Sequence, residues 1–320
     1  MDQSQISRYK SLDFYARQVV EGFITGRHKS PFHGFSVEFS DYRQYNSGES
    51  TKNIDWHLYG RTDRLYVKQF EEETNLRCQL MIDQSGSMLF PTERHGDIGM
   101  RNEKGEMRKE KGNYPNKLTF AVYAAAVLIE LLHRQRDAFG LTLFSGQIDQ
   151  QTPCRSSSVH QQYLLGLLDG LLQPVNKESH RTTSLAETIH LTAEQLHKRS
   201  LIVLFTDAFV RPDEQEPLFD ALRHLRHNKH EVIIFHTYDM AHEVNLDYDA
   251  RPHLFIDLES GQQLRLQPEE VAADYRRQMT EMFSTLRQRA MQYRIDYVPV
   301  DIAEGFHQIL LPFLLKRSKV

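Results

Sequence analysis

Leu80-Met81-Ile82-Asp83-Gln84-Ser85-Gly86-Ser87 carries an apolar run that stops on an aspartate, with two serines following at alternate positions. An uninterrupted apolar run bounded in this way predicts a strand covered on both faces, as in a parallel sheet. Its carboxyl end then presents one carboxylate and two hydroxyls at the edge where open α/β sheets bind ligands. Magnesium takes six oxygens in a near-octahedral shell at about 2.0–2.1 Å. Neutral hydroxyl ligands leave much of its double charge uncompensated, so such an ion attracts an acidic group from outside. The pattern therefore points to binding before catalysis. A plainer alternative is that Ser85 and Ser87 only form a turn and cap the next helix.

Two later stretches favour a converging site. Leu201-Ile202-Val203-Leu204-Phe205-Thr206-Asp207 is a second apolar run ending in aspartate, and His180-Arg181-Thr182-Thr183-Ser184-Leu185 opens a helical stretch. Thr183 is preferred over Thr182 because it directly precedes Ser-Leu and the amphipathic helix. Asp83, Ser85, Ser87, Thr183 and Asp207 are thus the candidate metal-organising residues, with Mg2+ or Mn2+ as the ion.

These five positions resemble the metal-ion-dependent adhesion site of von Willebrand factor A domains. The resemblance implies direct contact from Ser85, Ser87 and, depending on state, Thr183, with Asp83 and Asp207 acting mainly through water. It also implies a metal-site rearrangement coupled to a shift of the C-terminal helix.

Strand and helix signals alternate from residue 77 onward, which argues for α/β architecture with a mainly parallel sheet. Leu118, Ala121, Val122, Ala125, Ile129 and Leu132 repeat at helical spacing. Strands are expected at 139–144, 148–152, 201–205, 232–235 and 297–300, with the second at an edge because Pro153 closes it. Helices are expected through Leu164–Leu172, from Thr183 to about His197, through Leu218–Leu225 and through Tyr275–Leu286. A closing helix is expected to carry Ile302, Phe306, Ile309, Leu310 and Phe313 as one stripe. Residues 253–267 predict a β-hairpin. The expected fold is an open six-stranded sheet of the von Willebrand factor A type with helices on both faces. It occupies 76–320, behind a small N-terminal unit of 1–75 packed on the sheet. Within that unit Leu12–Ile24 reads as a helix with Phe14, Val19, Val20 and Phe23 as its apolar set. The Glu-, Arg-, Lys- and Gly-rich stretch 89–116 has no apolar period and predicts a flexible polar insertion beside the metal loop.

The N-terminal stretch is dense in aromatic and charged residues, with Phe35-Ser36-Val37-Glu38-Phe39-Ser40-Asp41-Tyr42-Arg43-Gln44-Tyr45, then Ile54-Asp55-Trp56, Arg64-Leu65-Tyr66-Val67-Lys68 and Phe70-Glu71-Glu72-Glu73. Running on into the Asp83 strand and through Asp137-Ala138-Phe139-Gly140-Leu141, this arrangement resembles the bacterial family catalogued as domain of unknown function 58. Members of that family often carry two N-terminal membrane helices, which are not expected here. The family resemblance implies an adaptor or assembly factor working with a MoxR-type AAA+ ATPase or its client protein.

Composition bounds the alternatives. The chain has 320 residues, 40% hydrophobic and 26% charged, with a net charge of −4. That charge is too mild to steer the protein toward nucleic acid. No apolar run is long enough to span a bilayer, so no integral membrane segment is expected. Two distant cysteines, Cys78 and Cys154, fit reduced thiols and a cytoplasmic location. The expected function is a metal-dependent protein-interaction module, not an enzyme. The alternative is a hydrolase using Ser85, Ser87 or Asp83 in an unrecognised site. A phosphohydrolase with a strand-end aspartate needs a second acid where Ser85 stands, and neither the serine-hydrolase elbow nor the phosphate-binding loop occurs.

Overall fold

The computed structural model describes residues 3–25, 42–44, 56–68, 76–91, 95–101, 107–113, 116–173, 185–208 and 214–317. Contacts divide the chain into two compact units, Gly22–Asn75 on one side and Met1–Glu21 together with Leu76–Val320 on the other. The first helix, α1 (Gln3–Thr25), therefore belongs up to Glu21 with the sheet-bearing unit instead of with the remainder of 1–75. The cause is its inner face: Leu12, Ala16 and Val20 are buried, and the Tyr15 ring meets Tyr123 edge-on at 4.9 Å. Phe14, expected on that face, is 61% exposed instead. The smaller unit holds β1 (Tyr42–Gln44), α2 (Trp56–Thr62) and β2 (Tyr66–Lys68), with the two strands paired antiparallel.

In the larger unit the chain runs through β3 (Arg77–Asp83), β4 (His95–Arg101), β5 (Met107–Asn113), α3 (Lys117–Arg134), β6 (Ala138–Phe144), β7 (Ile148–Gln151), α4 (Ser158–Leu171) and α5 (Leu185–Gln195). It continues through β8 (Leu201–Thr206), α6 (Gln215–His227), β9 (Glu231–Tyr238), β10 (His253–Ile256), β11 (Gln263–Leu266), α7 (Pro268–Gln292), β12 (Asp296–Asp301) and α8 (His307–Arg317). Six of these strands form one sheet in the order β12-β9-β8-β3-β6-β7, parallel except for the antiparallel edge strand β7. The other edge, β12, contains Pro299, which an edge tolerates because proline cannot donate to a second ladder.

Alternate residues of the central strands face opposite layers. Met81, Ile202, Leu204, Val232 and Ile234 join Leu185, Ile189, Leu218, Leu222 and Leu286 in a core under α5, α6 and α7. On the other face the Phe205 and Phe235 rings stack at 5.2 Å. There α3, whose residues from Lys117 to Leu132 are buried but for two, lies against β3 and β6. The expected six-strand, mainly parallel sheet covered by helices on both faces is therefore present. The closing stripe divides: Ile302 follows β12 and donates its amide to Tyr238 O at 3.0 Å, while Ile309, Leu310 and Phe313 are buried on α8.

The chain orders its strands so that β3 leads outward to β6 and β7, and β8 leads the other way to β9 and β12. The reversal falls between β3 and β8. A crevice opens at such a switch point outside the carboxyl ends of the strands.

The polar stretch after β3 departs from expectation, because β4 and β5 pair antiparallel from His95↔Asn113 to Arg101↔Met107. A backbone ladder needs no apolar period, so composition hides it. The insertion also has a closed base, since Lys117 N donates to Phe90 O at 3.0 Å.

Candidate functional site

The β3–β8 crevice is assembled by the ends of both strands. Asp83, last residue of β3, is fully buried and accepts from Ser85 N at 2.9 Å through one oxygen. Its other oxygen accepts from the Thr206 hydroxyl, at the end of β8, at 2.8 Å. Ser85 N folds back because Gly86–Leu89 forms a single 3-10 turn, which aims both serine side chains at one point. Ser85 Oγ and Ser87 Oγ lie 3.0 Å apart, with Ser85 buried and Ser87 half-buried. Asp207 follows Thr206 and is buried beside them. Asp83, Ser85, Ser87 and Asp207 are thus brought to one edge. Thr183 lies outside the described residues.

Three charged side chains that sequence reading missed complete the neighbourhood. Lys117 opens α3 with its side chain wholly buried, and its ammonium bridges Asp207 at 2.8 Å and also Glu243. A lysine in the first turn of a helix opposes the helix dipole, which was the available signal. Glu243 sits in the Met240–Val244 turn after β9 and accepts from Asp239 N at 3.0 Å. The third is Glu259, between β10 and β11, whose carboxyl lies beside Ser87 and is favoured in its ionised form by the Ser87 hydroxyl and amide.

The electrostatics of this group are unbalanced. Burial, and then the neighbouring Asp207, push the Asp83 carboxyl up to about 7 against the hydrogen bonds from Ser85 and Thr206. Burial also raises Glu259, with Asp207 and Asp257 adding to the effect and Ser87 opposing it. Burial alone would lower Lys117, yet Asp207 and Glu243 hold it above its ordinary value. Lys117 is the cation paired with Asp207 and Glu243.

The donor set fits a small hard cation. Adjacent vertices of a magnesium octahedron are about 2.9 Å apart, close to the 3.0 Å between Ser85 Oγ and Ser87 Oγ. Among the described residues no three His, Cys, Asp or Glu side chains form a metal-holding group. A cation here would rest on hydroxyls, with carboxylates behind them.

A family model described as "Protein of unknown function DUF58" matches residues 41–285. The chain belongs to that family. Curated relatives of this family member include uncharacterized proteins of Mycobacterium tuberculosis and Mycobacterium bovis, each 24% identical over 156 residues. The match covers 49% of this chain and 43% of each relative, so the chain spans less than half the length of the curated relatives it matches. Among solved structures, the conserved hypothetical protein BatB from Bacteroides thetaiotaomicron shares 16% identity at a TM-score of 0.46, covering 76% of this chain and 98% of that one. An aerotolerance-related membrane protein from Bacteroides fragilis shares 15% at 0.45, covering 77% and 100%. An uncharacterized membrane spanning protein from Vibrio fischeri shares 16% at 0.24, covering 75% and 96%.

Against the expected cytoplasmic location, two of these structural neighbours are described as membrane proteins. Thiol scarcity reports redox environment and not distance from a membrane, so cysteine usage did not fix a cytoplasmic location. Among the described residues no helix is long and apolar enough to cross a membrane.

Proposed function

We propose that this chain is a metal-dependent protein-interaction module of the von Willebrand factor A type, working as an adaptor or assembly factor. The observation that supports it best is the Ser85–Ser87 hydroxyl pair, 3.0 Å apart at the β3–β8 switch point beside the buried Asp83. Ser85 and Ser87 would hold Mg2+ or Mn2+ directly, together with Thr183. Asp83 and Asp207 would act from behind them, with Asp83 locked in place by Ser85 N and Thr206. The ion, when bound, supplies a Lewis-acidic position for an acidic side chain. Completion of the shell by a partner carboxylate is the binding event in this reading. The partner we assign is a MoxR-type AAA+ ATPase or its client, on the strength of the sequence resemblance alone.

A hydrolase would need a base beside one of the serine hydroxyls. In this structure that base would have to be Asp83, beside Ser85, or Glu259, beside Ser87.

The testing experiment is calorimetric titration of Mg2+ and Mn2+ into wild type and the double variant S85A/S87A. Saturable binding to wild type that disappears in the variant is expected. Equal heats from both proteins would remove the metal site.

A further inference from the structure

The loop between β10 and β11 lies on the candidate site. Asp257 organises it: Asp257 Oδ1 accepts from Glu259 N at 3.0 Å, and Oδ2 accepts from Ser260 N at 3.2 Å. Asp257 N donates to Gln262 O at 2.9 Å, and Gly261, at φ 70°, donates its amide to Asp257 O at 2.8 Å. The turn is thereby fixed with Glu259 at its tip.

The tip meets the metal loop at two adjacent residues. Glu259 lies beside Ser87, whose hydroxyl and amide both favour its ionised carboxylate. A Cβ built on Gly86 would lie 2.9 Å from the Leu258 carbonyl carbon and closer still to its oxygen. Glycine is thus required at position 86 by the close approach of the hairpin backbone. Glu259 is half-buried although it occupies a hairpin tip, which normally faces water.

We infer that the Asp257–Gln262 turn is an internal ligand: its Glu259 carboxylate occupies the position that an acidic partner residue takes, so the free protein caps its own site. The inference deepens the proposed function and rests on it for the identity of the position. It also specifies the partner's chemistry, which goes beyond a carboxylate. The partner presents an acidic residue at the tip of a tight turn, with the preceding carbonyl passing over Gly86. Binding requires displacement of the hairpin, because one Ser87 hydroxyl and one Gly86 surface serve both.

An internal competitor lowers the apparent affinity for an external ligand by the fraction of molecules left open. Removing its carboxylate restores that fraction without touching Ser85, Ser87 or Asp83.

The test uses the full chain as wild type, Glu259→Ala and Ser87→Ala. The probe is a cyclised, fluorescein-labelled peptide of residues 253–266. His253 and Leu266 pair in register, so its ends can be joined without distortion. Anisotropy titrations are run in millimolar Mg2+ and in EDTA, alongside calorimetric Mg2+ binding to each protein. Glu259→Ala should bind the peptide about tenfold more tightly than wild type, as for a site closed about nine-tenths of the time. A peptide carrying Glu259→Ala should not bind, and the Ser87→Ala protein should show no gain. Equal affinity of wild type and Glu259→Ala, with Mg2+ binding intact, overturns the internal ligand and leaves the metal site standing. A tenfold gain that persists unchanged in EDTA supports the internal ligand and counts against the metal. An unaltered melting temperature for Glu259→Ala shows that the comparison is between folded proteins.

Discussion

Lys117 and Asp207 form an ion pair of 2.8 Å with side-chain exposures of 0% and 3%, joining the first residue of α3 to the end of β8. Two buried charges attract strongly but lose their hydration, so such a pair adds little net stability while its disruption is costly. Lys117→Met should therefore destabilise the protein by about 3–5 kcal/mol, because Asp207 and Glu243 are left facing each other. Urea unfolding in EDTA measures this. Millimolar Mg2+ should recover part of the loss, and a loss below about 1 kcal/mol would place the ammonium outside the balance of the site.

Asp83 carries the opposite liability. Its folded-state pKa, about 7, lies above the ordinary 3.8. The folded protein therefore holds the proton to higher pH than the unfolded chain does. The associated stability is complete below pH 3.8 and is lost as pH rises toward about 7. Asp83→Asn keeps an acceptor for Ser85 N and removes the charge. In EDTA at pH 8 it should be more stable than wild type, by on the order of 2–4 kcal/mol. Millimolar Mg2+ should raise the melting temperature of wild type but not of Asp83→Asn, since only a native-state ligand stabilises by mass action. Identical Mg2+ shifts in the two proteins would contradict the site.

Legibility divided by range and by chemistry. The Asp83 and Asp207 strands were readable because a central parallel strand, buried on both faces, must be apolar without interruption. The edge position of β7 was readable from Pro153. Of the expected apolar set Val20 is buried and Phe14 is not; the stripe that packs is Leu12, Ala16 and Val20, with a small alanine admitting the neighbouring helix. Lys117 meets Asp207 across 90 residues and Glu243 across 126, distances at which no local period carries information. Glu259 is equally remote and sits in a turn whose sequence reads only as a turn. The β4–β5 pair escaped because its bonds are backbone bonds.

Gly86→Ala tests the approach of the hairpin directly. Its Cβ would collide with the Leu258 carbonyl, which is backbone and cannot rotate aside. Overpacking of this kind costs about 1–3 kcal/mol. Hydrogen exchange should quicken at 257–262 while β3 and β8 stay protected. Unchanged exchange in that turn would mean that the hairpin rests elsewhere.

His230 gives a pH dependence remote from the site. Burial lowers its pKa below 6.5, partly offset by backbone hydrogen bonds at Ser200 and Ala193, and Ser200 N donates to His230 Nδ1 at 3.3 Å. A histidine held neutral contributes stability that is complete above the unfolded value. That stability is lost as pH falls below 6.5, because the unfolded chain takes up the proton first. Urea midpoints for wild type should fall between pH 7 and 5, and His230→Gln should flatten that slope. An identical slope in the variant would assign the acid sensitivity to other groups.

The insertion offers the last test. Lys117 N donates to Phe90 O at 3.0 Å, so the chain leaves and re-enters the sheet unit at one place. That bond also satisfies one of the amides that the start of α3 would otherwise leave without an acceptor, and Asn116 satisfies another by accepting from Thr119 N at 2.7 Å. A loop with a fixed base can be shortened at little cost, because closure entropy changes only by about 0.6 kcal/mol per doubling of length. Replacing 93–114 by a short Gly-Ser link should leave the melting temperature within a few degrees of wild type. It should also leave the Mg2+ shift intact, since Asp83, Ser85, Ser87 and Asp207 lie outside the deleted segment. Affinity for the cyclised 253–266 peptide should likewise be unchanged in the Glu259→Ala background. Collapse of the fold would show that β4 and β5 support the sheet, and loss of the Mg2+ shift alone would place a further ligand inside the insertion.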